Sequence, residues 1–350
     1  MSDSPPSEND LHSEYPVSLS VVLSIYNGED FVEDAIQCIL DQTYTDFELI
    51  CINDGSKDGS LALIQRFAAQ DERVRVIDQE NTGLTIALRR GVEAARGEYI
   101  ARMDVDDWSM PDRFEKQMAL FRQQPKLVAV TCDVEHFYDD GTTSHVAKIR
   151  KDPRVLPLLM AFTNRIGGHG QMVYRRDAYF AAGGYDTEFN YAEDYDLWTR
   201  MLEQGPFGVV PEILYRYRTG HDSISSRNAI RQSEVSCAIR CRQYKKLTGE
   251  ELDPEVARAM YAYGMNRSLA DYSPQQISEV SEVMHRAVNT FFSQHPDLKS
   301  ELHEIRRGYS SNWWWRRDHV TWADVPRKTA ILGNVVSWGF AALAARFFQR

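Results

Sequence analysis

The sequence predicts an α/β protein: a mostly parallel sheet sandwiched by helices, followed by a helical appendage. Three observations carry this. Between residues 18 and 103, short β-rich runs alternate with stretches of helical periodicity. The intervening helices, about 10 to 15 residues long, imply right-handed crossovers and parallel strands covered on both faces. Beyond residue 227 the strand patterns stop and only helical periodicity remains.

Taken in order, residues 18–25 form the first strand, 31–42 a helix, 47–53 a strand, and 60–69 a helix with Asp58 as its cap. Residues 74–77 form a short strand, 84–95 a helix, and 98–103 a further strand. Ser109 and Asp112 have capping-box spacing, with Asp in place of Glu and Pro111 near the first turn, and open a helix to about Gln123. Residues 127–132 form a buried strand, and 136–148 an antiparallel hairpin around Asp140-Gly141. A helix near 156–162 precedes a stretch containing Gly167, Gly168 and Gly170; then come a helix over 193–202 and strands near Val209 and Leu214. Helices follow over 230–247, 254–269, 274–292 and 298–307. The implied organisation is a disordered leader over 1–16, an α/β domain over 17–226, a helical region over 227–308 and a distinct tail over 309–350.

With 43% hydrophobic and 26% charged residues, the 350-residue chain is neither wholly disordered nor a polytopic membrane protein. Its net charge of -11 argues against nucleic acid as a partner, since phosphate neutralisation needs a basic face. The charge is uneven: from Ile305 onward eight Lys/Arg and two Asp/Glu give +6, leaving -17 on the preceding 304 residues. Cys38, Cys51, Cys132, Cys237 and Cys241 are odd in number and sit mostly in apolar runs, as reduced structural thiols of a cytosolic protein do. The polar, proline-containing N-terminus has no apolar segment of signal-peptide length.

In an open α/β sheet ligands bind at the carboxyl ends of the strands. Here those ends are polar and acidic: Ser24, Tyr26, Asn27 and Glu29 after the first strand, Asp54 after the second, and Asp104, Asp106 and Asp107 after the strand ending at Met103. With 51 acidic residues, an acid-x-acid-acid pattern arises about once by chance, so context gives it weight. Carboxylates crowded beside a crevice repel one another and raise each other's pKa. A divalent cation resolves that conflict, and oxygen-only ligation points to Mg²⁺ or Mn²⁺ completed by phosphate oxygens and water.

The runs Ser20-Val21-Val22-Leu23-Ser24-Ile25-Tyr26-Asn27-Gly28-Glu29, Ile52-Asn53-Asp54-Gly55-Ser56 and Arg102-Met103-Asp104-Val105-Asp106-Asp107 resemble the family 2 glycosyltransferases of GT-A fold. So do Pro111-Asp112-Arg113-Phe114 and Glu193-Asp194-Tyr195-Asp196-Leu197-Trp198, over roughly residues 17 to 225. The resemblance implies a nucleotide-sugar site in which Tyr26 and the Ser24 backbone meet the base and Asp54 accepts from its imide N–H. Asp104 would lie near the ribose, Asp106 would hold the metal on the diphosphate, and Glu29 would belong to the same donor site. Asp194 matches the family's general base. Glu193, Asp196, Trp198 and His169 are expected at the acceptor or in support of the base, with a core role open for Trp198. Arg89 stands where the family commonly has Asn, and contacts phosphate or lies on a solvated helix face. His221 is shifted by one from the family's Arg-x-His, which leaves a metal role open.

The implied enzyme is inverting and metal-dependent, with a UDP-sugar donor and a glycan or lipid-linked acceptor, acting in bacterial surface-polysaccharide or glycoconjugate assembly. Neither the Gln-x-x-Arg-Trp motif nor the membrane spans of the processive synthases are present, so one sugar is added per encounter. A sugar nucleotidyltransferase is the rival, but Tyr26-Asn27-Gly28-Glu29 is not its Gly-x-Gly-Thr-Arg-like loop. An inactive nucleotide-sugar-binding scaffold would have lost an essential carboxylate, and none is missing. In the tail, Trp313, Trp314, Trp315, Arg316, Arg317 and Trp322 precede an apolar stretch too marginal to span a bilayer and suited to an interface. That implies peripheral attachment to anionic lipid on the inner face of the cell membrane, against the alternative of packing on protein. A homo-oligomer is compatible with the sequence.

Overall fold

The computed structural model describes residues 15–148, 152–220, 228–264, 272–302 and 305. They fall into two compact units, one of residues 1–153 and 166–229, the other of residues 154–165 and 230–350. Residues 154–165, placed with the α/β domain from the sequence, thus cluster with the helical unit.

The first unit is built on a nine-stranded sheet. Its strands are β1 (Val17–Ile25), β2 (Phe47–Asp54), β3 (Val74–Gln79), β4 (Gly97–Met103), β5 (Trp108–Ser109), β6 (Ala129–Phe137), β7 (Thr143–Ala147), β8 (Val173–Arg175) and β9 (Phe207–Arg218). The order is β3-β2-β1-β4-β8-β6-β9-β5, with β7 beside β6. The β1–β2, β1–β4, β2–β3 and β6–β9 pairs are parallel, while β5, β7 and β8 pair antiparallel with their neighbours. Because β2 lies on one side of β1 and β4 on the other, the connections reverse direction at β1. That is the switch point at which an open sheet leaves a crevice.

Helices α1 (Val32–Leu40), α2 (Ser60–Gln70), α3 (Leu84–Glu93) and α4 (Arg113–Gln123) bury apolar faces at helical spacing. Val32, Ala35, Ile36 and Ile39 do so in α1, and Phe114, Met118 and Phe121 in α4. In α3 the close approach to the sheet requires glycine: a Cβ on Gly91 would sit 2.8 Å from Ile52 Cδ1 and nearer still to Val22 Cγ1. The strands bury apolar side chains on both faces, Leu19, Val21, Leu23, Leu49, Cys51 and Ala101 on one and Val22, Ile50, Ile52 and Ile100 on the other.

Several local expectations are corrected. Asp58 does accept from the Ser60 N–H at 3.1 Å, but the residue at the N-cap of α2 is Gly59. No capping box forms at Ser109 and Asp112, because Ser109 belongs to β5, paired with Tyr215 of β9. Gln42 serves instead, its side-chain oxygen accepting from Phe114 N at 3.1 Å while its amide donates to Met110 O at 2.7 Å. The strands expected near Val209 and Leu214 are one strand, β9, whose register against β6 shifts around Asp133. The hairpin of β6 and β7 turns at Gly141, whose φ of 82° suits glycine. All five cysteines are free thiols.

Short helices α5 (Leu156–Met160), α6 (Arg176–Ala181) and α7 (Glu193–Met201) follow, then α8 (Ala229–Thr248), α9 (Pro254–Gly264) and α10 (Pro274–Gln294). In the second unit Leu158, Phe162, Tyr244, Met260, Met284, Val288 and Phe291 share one core. The capping box at the start of α10 is complete: Ser273 Oγ accepts from Gln276 N at 3.2 Å, and Gln276 Oε1 accepts from Ser273 N at 2.8 Å. The leader through residue 14, His221 and the tail from residue 306 lie outside the described residues.

Candidate active site

The carboxyl ends of β1, β2 and β4 converge. Ile25 pairs with Asn53 and Leu23 with Met103, so the chain leaves the sheet at Tyr26, Asp54 and Asp104 side by side. The first two loops are joined by hydrogen bonds. Asn27, at φ 51° in the left-handed region that Asn tolerates, donates from its N–H to Ser56 Oγ at 3.0 Å and accepts from Lys57 N at 2.8 Å. Glu29 Oε2 accepts from Gly59 N at 2.6 Å, and Glu29 N donates to Asp58 at 3.1 Å. Glu29 is therefore committed to the start of α2, where its charge also suits the helix dipole. Tyr26 leaves its ring half exposed, at 50%. Ser24 is partly buried behind it.

Asp54 is buried and engaged. Its Oδ1 accepts from Gln79 Nε2 at 2.7 Å, Thr82 N at 2.9 Å and Thr82 Oγ1 at 3.0 Å, and its Oδ2 accepts from Gly83 N at 2.9 Å. Three of these four donors crowd Oδ1 and one meets Oδ2. Asp54 thus organises the loop into α3, and its Oδ2, which takes the Gly83 N–H alone among these donors, keeps a second acceptor position.

The acidic loop after β4 divides its three aspartates between different tasks. Asp104 forms an ion pair with Arg102, a residue buried in the strand itself. Burial alone would raise the Asp104 pKa, but the Arg102 guanidinium outweighs it and holds the carboxyl below its ordinary value. Asp107 is turned inward, accepting from Tyr215 Oη at 2.7 Å and from Arg218 N at 2.8 Å. Burial first, and then Asp104 and Asp106, push its pKa well above the usual carboxylate range. Asp106, partly exposed between them, has its carbonyl held by Arg218 Nε at 2.8 Å. Arg113, wholly buried at the start of α4, ties the floor together by donating to Gly170 O at 2.9 Å and Arg102 O at 3.0 Å beneath the Tyr215 ring.

A second acidic group comes from α7. Asp194, in its first turn, has its pKa raised to about 7, by burial first and then by Glu193. Arg102 and Asp104 are close enough to act on both Glu193 and Asp194, which brings the two acidic groups into one site. Glu193 is buried, which raises its pKa, and its Oε2 has no hydrogen-bond partner. His169 is buried beside Tyr185, with Nδ1 3.3 Å from the phenol oxygen; burial and Arg102 lower its pKa to about 3, so it is neutral.

The remaining candidates sit away from this cluster or serve structure. Asp196 is inaccessible and pairs with Arg200, which in turn donates to the carbonyls of Ala182 and Gly184. Trp198 is core, edge-on to Tyr174 and Phe207. Arg89 lies on the exposed side of α3. Among the described residues no three His, Cys, Asp or Glu side chains are gathered as in a preformed metal cage. Sequence reasoning missed Arg102, Arg113, Tyr215 and Arg218. The one available signal was a charged residue, Arg102, between the apolar Ala101 and Met103 of β4.

Residues 20–181 match the profile of Glycosyl transferase family 2. The chain is 32% identical over 260 residues to the putative glycosyltransferase EpsE of Bacillus subtilis, covering 71% of this chain and 92% of that one. It is 31% identical over 225 residues to the O-antigen biosynthesis glycosyltransferase WbnJ of Escherichia coli, covering 62% and 85%. Identity to the amylovoran biosynthesis glycosyltransferase AmsE of Erwinia amylovora is 31% over 212 residues, covering 59% and 79%. The crystal structure of S. aureus TarS 1-349 in complex with UDP-GlcNAc superposes with a TM-score of 0.56 at 16% identity, covering 85% of this chain and 89% of that one. That likeness shows the fold, the GT-A arrangement that the sequence implied. By its match to the family profile and its identity to EpsE along nearly all of that protein, the chain belongs to the family 2 glycosyltransferases.

Proposed function

We propose that this glycosyltransferase moves a sugar, with inversion at the anomeric carbon, from a nucleoside-diphosphate donor to a hydroxyl of a glycan or lipid-linked acceptor. UDP-sugars are the preferred donor class. The observation that carries this reading is Asp194. A carboxylate whose pKa is raised to about 7 by burial is a competent base near neutral pH, and it shares a site with the acidic loop after β4. Asp194 removes the acceptor proton as the hydroxyl attacks the face of the sugar opposite the leaving diphosphate. Glu193, with a buried and unpartnered carboxylate oxygen, is the second candidate for that role.

The exposed Tyr26 ring offers a stacking plane for the base, beside the Ser24 backbone. Asp104, partly exposed and already paired with Arg102, is positioned to accept from a ribose hydroxyl. Asp54 shapes the loop into α3 and keeps an acceptor position on Oδ2 for the imide N–H of the base, and Glu29 braces the neighbouring loop of the same donor site. Asp106, partly exposed in the acidic loop, is the carboxylate assigned to Mg²⁺ or Mn²⁺. One carboxylate plus substrate phosphates is a fitting donor set for such an ion. When bound, the cation would neutralise the diphosphate and stabilise charge on the leaving oxygen.

The names of WbnJ and AmsE, O-antigen and amylovoran biosynthesis, support a place in bacterial surface-polysaccharide assembly. The test is thermal stabilisation and metal-dependent hydrolysis across a panel of UDP-, GDP- and dTDP-sugars. No response to any of them would overturn the reading. Among the described residues no helix is long and apolar enough to cross a membrane. Attachment of the tail to the inner membrane face rests on its +6 charge and clustered tryptophans. Co-sedimentation of the full chain, but not of a chain ending at Tyr309, with anionic liposomes checks it.

A further inference from the structure

Three rings lie in a row across the strands β7, β6 and β9. His136 is opposite His145 on one side and Tyr217 on the other. The two imidazoles stack with centroids 4.0 Å apart and planes at 16°, and the Tyr217 ring is 5.1 Å from His136. Tyr215, two residues earlier on β9, shares the face of Tyr217 because side chains alternate along a strand. It is buried, and its hydroxyl holds both Asp107 Oδ2 and Asp104 N. Arg218 holds Asp107 and Asp106 from the other side. Tyr217 therefore sits between the two residues that anchor the acidic loop, and its pKa is raised by burial first and then by that loop's aspartates.

Exposure rises along the row. Tyr215 is buried, Tyr217 and His136 are partly exposed, and His145 is exposed. The basic side chains of this region go elsewhere: Arg216 and Arg218 lie over the Phe137 ring, and Phe137 alternates with His136. His136, lowered to about 4 by burial and by His145, is neutral at physiological pH. The row is thus aromatic and close to a cluster of carboxylates. A phosphorylated or acidic ligand would meet repulsion there, whereas a neutral pyranose presents polarised C–H groups to the negative ring faces and hydroxyls to the strand edges. Two strand spacings, about 10 Å, give room for more than one sugar ring.

We propose that the row of Tyr217, His136 and His145 is the acceptor subsite, which stacks neutral sugar rings of the acceptor glycan and leads them toward the acidic loop. The proposal rests on the transferase reading above. It also places acceptor binding away from Asp196 and Trp198, which the structure uses in the interior.

The test is saturation-transfer NMR on the full chain with UDP and Mg²⁺ present. The probes are methyl β-D-glucopyranoside, methyl β-D-galactopyranoside, methyl α-D-mannopyranoside, methyl α-L-rhamnopyranoside and the methyl glycoside of N-acetylglucosamine. At least one should give transfer to its ring C–H protons. That signal should fall about fivefold in Tyr217→Ala and in His145→Ala, and persist in Tyr217→Phe, which keeps the ring plane. His145 is exposed, so its replacement leaves the core intact. UDP affinity, titrated in the same samples, should stay within about twofold of wild type. No transfer from any glycoside, or equal transfer in wild type and both alanine variants, would overturn the subsite. Failure of wild type to bind UDP would instead remove the transferase reading beneath it.

Discussion

The Tyr215 hydroxyl donates to Asp107 Oδ2 at 2.7 Å and accepts from Asp104 N at 3.2 Å, so one phenol on β9 fixes both ends of the acidic loop. Its removal in Tyr215→Phe leaves a buried carboxylate short of a donor and a backbone N–H without its acceptor. A loss of about 1–3 kcal/mol is expected, read from urea denaturation. Gly170→Ala should cost at least as much, because a Cβ there would overlap the same hydroxyl. The ring cannot simply retreat, since Arg113 lies over it at 5.1 Å and is itself bonded to Gly170 O. Stability equal to wild type in both variants would show that the loop is held by other means.

Asp54 supports a second prediction. Its carboxylate receives four donors, so Asp54→Asn must point an NH₂ group at N–H or O–H donors whichever way the amide is turned. A loss of about 2 kcal/mol is expected, with weaker UDP binding through a disordered start of α3. Unchanged stability with lost UDP affinity would instead mean that Asp54 acts on the base directly and not through the loop.

The strand ends were legible because their signal is local. Apolar runs followed at once by Tyr26, Asp54 or Asp104 need no knowledge of distant partners. Strands β5 and β8, two and three residues long, carry no periodicity of their own and exist only through pairing with remote segments. The same distance hid the Gln42 cap on α4 and the Tyr215 bond to Asp107. Helix α7 left its alternatives open for a different reason. Seven of its nine residues are buried, including Glu193, Asp196 and Trp198, so periodicity could not tell an interior carboxylate from one facing substrate.

Asp106 carries the third prediction. The donor diphosphate must approach a loop of three aspartates, and of these Asp104 is balanced by Arg102 while Asp107 is buried. UDP affinity should fall at least about tenfold on EDTA treatment and by a similar factor in Asp106→Ala, with no further loss when the two are combined. Isothermal titration in the four conditions checks this. Equal affinity throughout would remove the cation from donor binding.

Asp194 gives two independent readouts. As the base it must be ionised, so kcat/KM should rise with pH through about 7 on the acid side of the profile. Asp194→Asn keeps the shape but cannot take the proton, and kcat should drop about 10²-fold or more with UDP affinity retained. The stability effect has the opposite sign. In the unfolded chain an aspartate ionises near pH 4, whereas the folded group does so near 7. Between those values the folded state binds the extra proton, and wild-type stability falls as pH rises. The Asn variant escapes that cost, so its stability relative to wild type should grow from about pH 4 to about pH 7 and level off above. Thermal unfolding of both proteins across that range measures it. A variant that is inactive yet shows no such gain would mean that Asp194 is not the group that keeps its proton up to about pH 7, and the base would then be sought first at Glu193, whose carboxyl is buried and raised.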